Sequence, residues 1–113
     1  AAFAETRAPR LVARAEALPG VRRAMAAVNP AGYAQAVHAL AAGDLLADAA
    51  LLDLPVLVAV GDADVVTPPA NAQRLHTVLR HPIGAARIIP GSGHALPQED
   101  AAATAALVME ALR

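Results

Sequence analysis

Cysteine is absent from the 113 residues, so there is no disulfide framework and no thiolate zinc site. Lysine is absent too: all nine basic side chains are arginine, balanced by ten acidic ones for a net charge of −1. That balance gives no electrostatic reason to expect a nucleic-acid partner or a polybasic membrane surface. Phe3 and Tyr33 are the whole aromatic complement, too few for base-stacking platforms. No apolar run approaches the ~18 residues of a membrane span. The N-terminal stretch, with Glu5, Arg7, Pro9 and Arg10, does not read as a signal peptide, and a cytoplasmic location is the expectation. Hydrophobic residues nonetheless make up 57 % of the chain. Roughly a quarter of all residues are alanine, which buries little area each.

Two halves differ in character. Residues 1–53 read as helical. Leu11, Val12, Ala15 and Leu18 fall on one face of a helix expected over Arg10 to Leu18, with Pro19-Gly20 as its breaker. A short helix follows through Val21, Met25 and Val28, with Arg22-Arg23 on a solvated face. Asn29-Pro30 is an N-cap followed by proline at the first helical position. Gly43 can end that helix, and Asp44 can cap another.

Residues 54–113 alternate. Pro55 to Val60 is an apolar run suited to a strand covered on both faces. Pro68-Pro69 opens a helix, with Thr67 as its expected N-cap. Ala85 to Ile89 is a second short strand, stopped by Pro90-Gly91. Gln98, Glu99 and Asp100 lead a last helix, whose expected buried stripe is Leu107, Val108, Ala111 and Leu112. Strand, helix, strand and helix in that order predict an α/β fold with two adjacent parallel strands. Two strands leave both edges of an open sheet unpaired. That shortfall, with the lack of an initiator Met before Ala1-Ala2-Phe3, leads to the expectation that the chain is the back end of a larger enzyme.

Chemistry concentrates in two loops, at the carboxyl ends of the expected strands where open α/β sheets place their sites. The first runs Gly61-Asp62-Ala63-Asp64-Val65-Val66-Thr67-Pro68, the second Gly91-Ser92-Gly93-His94. Neighbouring strands lie roughly 4.8 Å apart, so a carboxylate and an imidazole on adjacent strand ends can meet. A carboxylate that accepts the imidazole N–H fixes its tautomer and stabilises the imidazolium formed in proton transfer. His94 is the candidate base, and Asp64 and Asp62 are the candidate acids. Ser92 lacks a strand-to-helix elbow and reads as turn chemistry rather than as a nucleophile. His38, His76 and His81 have no histidine partner at helical spacing, so neither a metal nor another cofactor is expected.

Pro55 to Gly61 with Asp64 and Pro68, followed by Pro90-Gly91-Ser92-Gly93-His94, resembles the C-terminal part of the α/β-hydrolase superfamily. The family's pattern is Pro-(apolar)-Gly-x-x-Asp-x-x-x-Pro, then Gly-x-Gly-His. By position, the resemblance implies that Asp64 is the acid and His94 the base of a catalytic triad. Pro97-Gln98-Glu99-Asp100 resembles the proline and acid at the head of the family's last helix. Residues 1–53 resemble the end of a helical cap. Pro30-Ala31-Gly32-Tyr33, Ala39-Leu40 and Gly43-Asp44-Leu45 are similar to the branch of 3-oxoadipate enol-lactonases and related esterases. The implied protein is a hydrolase of ester, lactone or related acyl bonds, taking a small-molecule substrate and no cofactor. Acyltransferases, dehalogenases and C–C bond hydrolases share these loops. The chain departs from the family in having no Gly-x-Ser-x-Gly and no oxyanion-hole segment, so by itself it is expected to be inactive. The competing expectation is a non-catalytic α/β module that dimerises through an exposed sheet edge.

Overall fold

The computed structural model describes residues 2–113. Four helices come first: α1 (Ala2–Arg7), α2 (Leu18–Ala26), α3 (Pro30–Ala42) and α4 (Leu45–Ala50). Strand β1 (Ala59–Gly61), helix α5 (Pro69–Val78), strand β2 (Arg87–Ile89) and helices α6 (Leu96–Glu99) and α7 (Ala101–Ala111) follow. The architecture is mixed α/β. The two strands pair in parallel, with Ala59 opposite Arg87, Val60 opposite Ile88 and Gly61 opposite Ile89. The β1–α5–β2 crossover carries the chain back to the same end of the sheet, so both strands finish side by side. Among the described residues, no helix is long and apolar enough to cross a membrane.

The strands are shorter than the apolar runs. Val56 bridges Pro82 in the same parallel sense, and its carbonyl accepts the Ile83 N–H at 2.9 Å. Pro82 has no N–H, and Gly84 turns away at φ +64°, so the chain loops out before Arg87 resumes pairing.

Local capping works as the residues dictate. The Asn29 side chain accepts from the Gly32 N–H and opens α3. Asp44 does the same for α4 through Ala47, and Asp100 for α7 through Ala103. Three local expectations are corrected. No continuous helix runs from Arg10 to Leu18, because the N–H groups of Ala13 and Arg14 are taken by the Glu99 carboxylate. Only single 3-10 turns survive on either side, at Ala8–Arg10 and Ala15–Ala17. Pro19 is no breaker; it sits in the first turn of α2, where its missing N–H costs nothing. In α7 the half-buried positions are Ala103, Thr104, Leu107 and Glu110, while Val108, Ala111 and Leu112 face out.

The core is thin. Its buried apolar residues are Ala4, Ala8, Ala17, Val21, Ala49, Val58, Val60 and Leu96, half of them alanine. No residue of α3 is buried. Tyr33 on α3 meets Phe3 edge-on at 5.6 Å, yet both rings stay exposed. Arg22 pairs with Glu5 at 3.3 Å, which ties α2 to α1.

Candidate active site

The two glycine-bearing loops meet at the carboxyl ends of β1 and β2. The Asp62 N–H donates to the Ile89 carbonyl at 3.0 Å, and the Ala63 N–H to the Ser92 carbonyl at 2.9 Å. Approach is so close that a Cβ on Gly61 would collide with the Ser92 and Gly93 carbonyl oxygens. Gly91 adopts φ +72°, a left-handed turn that glycine accepts without strain.

This stitching delivers His94 to Asp64. His94 Nδ1 lies 3.0 Å from Asp64 Oδ2. Asp64 is buried, and its carboxylate is surrounded by donors. Oδ1 accepts from the backbone N–H groups of Val66 and Thr67, both at 2.9 Å. Oδ2 accepts from the Thr67 hydroxyl at 3.1 Å as well as from His94. Burial pushes the Asp64 carboxyl up, but the Thr67 N–H, the His94 ring and the Val66 N–H together hold it below its ordinary value of 3.8. An ionised carboxylate only accepts, so Nδ1 of His94 carries a proton and donates it. In the neutral imidazole the lone pair is then on Nε2, which has no protein partner among the described residues. Thr67 Oγ1 sits 3.2 Å from Nδ1 and flanks the same proton.

The alternatives separate cleanly. Asp62 does not reach His94; its Oδ1 accepts from the Gly91 N–H at 2.9 Å and braces the second loop. Ser92 is wholly buried, so its hydroxyl is closed to any substrate. Thr67 is not the N-cap of α5; Pro68 occupies that position, and the threonine serves Asp64 instead. His76 bonds the Gly84 carbonyl and His81 bonds Asp53, while His38 stands on exposed α3. Among the described residues, no three histidine, aspartate or glutamate side chains group as metal ligands.

A cavity of about 490 Å³ opens beside the pair. Leu45 and Leu46 of α4, Val60 of β1 and Leu75 of α5 give it apolar walls, with Asp64, Thr67 and His94 at its polar end. Its size falls within the range of small-molecule sites, roughly 300–1,000 Å³. Arg74 and Asn71 of α5 also line it.

Two contributors are not evident from the sequence. Glu99, expected only as a helix-head acid, is buried and accepts from the Gly93 N–H at 2.7 Å. Arg14, expected inside a helix, reaches the carbonyls of Gly91 at 3.0 Å and Pro90 at 3.3 Å. An acidic residue five places after His94 was the available signal for the first; nothing local marks the second. Comparison with protein-family models, curated proteins and solved structures finds no match to this chain.

Proposed function

We propose that this chain supplies the acid and the histidine of an α/β-hydrolase triad that acts on ester, lactone or related acyl bonds, with the nucleophile outside these 113 residues. The observation that carries this reading is the Asp64–His94 pair at adjacent strand ends, opening on an apolar cavity. In the reaction His94 Nε2 takes the proton of the attacking hydroxyl as it bonds to the acyl carbon. Asp64 stays ionised and stabilises the imidazolium through Nδ1–H. His94 then returns the proton to the leaving group, and in the second half-reaction the same cycle activates water. The apolar cavity walls suit the acyl or alkyl part of a small substrate.

The test begins with the coding sequence upstream of Ala1, read in frame. The expected result is a Gly-x-Ser-x-Gly between a strand-like run and a helix. The full-length product then reacts with a fluorophosphonate probe at that serine, and H94A loses the labelling. A full-length product without such a segment, or labelling indifferent to H94A, overturns the reading.

A second reading has its own observation. Among the described residues the sheet has two strands, so both of its edges are unpaired, and Ile88 on β2 is exposed. Such a surface suits a non-catalytic module that pairs with a second copy along the sheet edge. A concentration-dependent dimer in sedimentation velocity, with no fluorophosphonate labelling of the full-length product, favours it.

A further inference from the structure

We infer that Glu99 and Arg14 form a positioning clamp that sets where the His94 imidazole stands. Glu99 is a buried carboxylate whose hydrogen-bond partners are all backbone N–H groups. Its Oε1 accepts from Ala13 and from Arg14, and its Oε2 from Gly93. One side chain thus joins the segment before α2 to the residue immediately ahead of His94. The residue just after His94 is tethered as well, with the Ala95 N–H donating to the Leu11 carbonyl at 2.8 Å. The backbone on both sides of the imidazole is therefore pinned to the stretch Leu11–Arg14.

Arg14 completes the clamp from outside. Its guanidinium donates to the carbonyls of Gly91 and Pro90, which begin the histidine loop. It also donates to the Glu99 carbonyl at 3.1 Å and pairs with Asp100 at 3.2 Å. Gly93 is wedged in the middle: a Cβ there would meet Ala13 N at 3.0 Å and the Leu11 oxygen at 3.1 Å. Neither Glu99 nor Arg14 is hydrogen-bonded to His94 or Asp64, so their effect passes through the loop backbone. Loss of the local helix over Leu11–Arg14 is the structural counterpart, since those N–H groups serve the carboxylate rather than a helical ladder.

The inference deepens the hydrolase reading and rests on it for the value of a fixed imidazole. Its test needs no substrate, so failure of either can be told from failure of the other. In the full-length product labelled uniformly with ¹⁵N, the His94 Nδ1 proton is followed by its exchange with water, with the Val60 amide proton of β1 as an internal reference. E99Q keeps the size of the side chain but sets an NH₂ against at least one backbone N–H, whichever way the amide is turned. The expected result is exchange of the His94 proton at least about tenfold faster in E99Q, with the Val60 amide unchanged. Equal acceleration of both protons, or of neither, overturns the inference. Should E99Q not fold, R14M decides the matter, because it removes the bonds to Pro90 and Gly91 and leaves the Arg14 N–H on Glu99. Faster His94 exchange in R14M against an unchanged Val60 amide supports the clamp, and unchanged His94 exchange overturns it.

Discussion

Asp64 Oδ2 and His94 Nδ1 stand 3.0 Å apart although thirty residues separate them in the chain. The parallel crossover produces this closeness. β1 and β2 end side by side, and each is followed within a few residues by one member of the pair. Asp64 is committed to accepting and His94 Nδ1 to donating, which leaves Nε2 as the nitrogen available for chemistry.

The first prediction concerns acid stability. The Asp64 carboxyl is held below its unfolded value near 3.8, so ionised Asp64 stabilises the fold above that value. The contribution is lost as pH falls from there through the lower, folded value. D64N lacks it at every pH and leaves an amide facing N–H donors. Urea unfolding at neutral pH is expected to show D64N less stable by about 1–3 kcal/mol, with the gap narrowing below pH ~4. A gap that stays constant into acid contradicts the assigned shift.

Thr67 gives a second prediction. T67V removes the hydroxyl that donates to Asp64 Oδ2 and keeps the backbone N–H that donates to Oδ1. The loss is expected to be about 1 kcal/mol, and the Asp64 carboxyl should titrate higher in an NMR titration. T67S keeps the hydroxyl and should restore both values toward those of the parent.

Gly61 tests the loop stitching. Alanine there puts Cβ against the Ser92 and Gly93 carbonyl oxygens, both backbone atoms that cannot swing aside. G61A is expected to lose about 2–3 kcal/mol in thermal or urea unfolding, and to weaken the Asp64–His94 bond by parting the loops. Parent-like stability would mean that the loops do not approach as described.

A fourth prediction concerns the packing of α7. Both oxygens of the Glu110 carboxylate accept from the Arg87 guanidinium, tying the last helix to β2. The pair is partly exposed, so its contribution should be modest and screened. R87M is expected to be less stable by about 1 kcal/mol at low ionic strength, and the difference should shrink in molar salt.

What the sequence made legible was mostly local. Asn29 with Pro30, and Gly43 with Asp44, mark helix ends because a cap depends on residues three or four apart. The apolar runs located both strands, though Pro82 and Gly84 shortened the pairing between them. The meeting of the two loops was legible because both follow strands expected to be adjacent and parallel, while the choice of Asp64 over Asp62 rested on the resemblance to the α/β-hydrolase pattern. The segment after Arg10 departs from its helical pattern because its backbone donors bond to Glu99, 85 and 86 residues away. No local pattern records such a bond. The buried face of α7 was illegible for another reason: alanine and aliphatic residues surround the helix, so no face stands out.

The most direct test is the turnover of the full-length product on a p-nitrophenyl ester, with H94A and D64N beside the parent. Proton transfer through His94 Nε2 requires that H94A lower kcat/KM by at least about a thousandfold, and D64N by a similar order, with the fold intact. Parent-like kcat/KM in H94A would contradict it, because the imidazole would then carry no proton in the reaction.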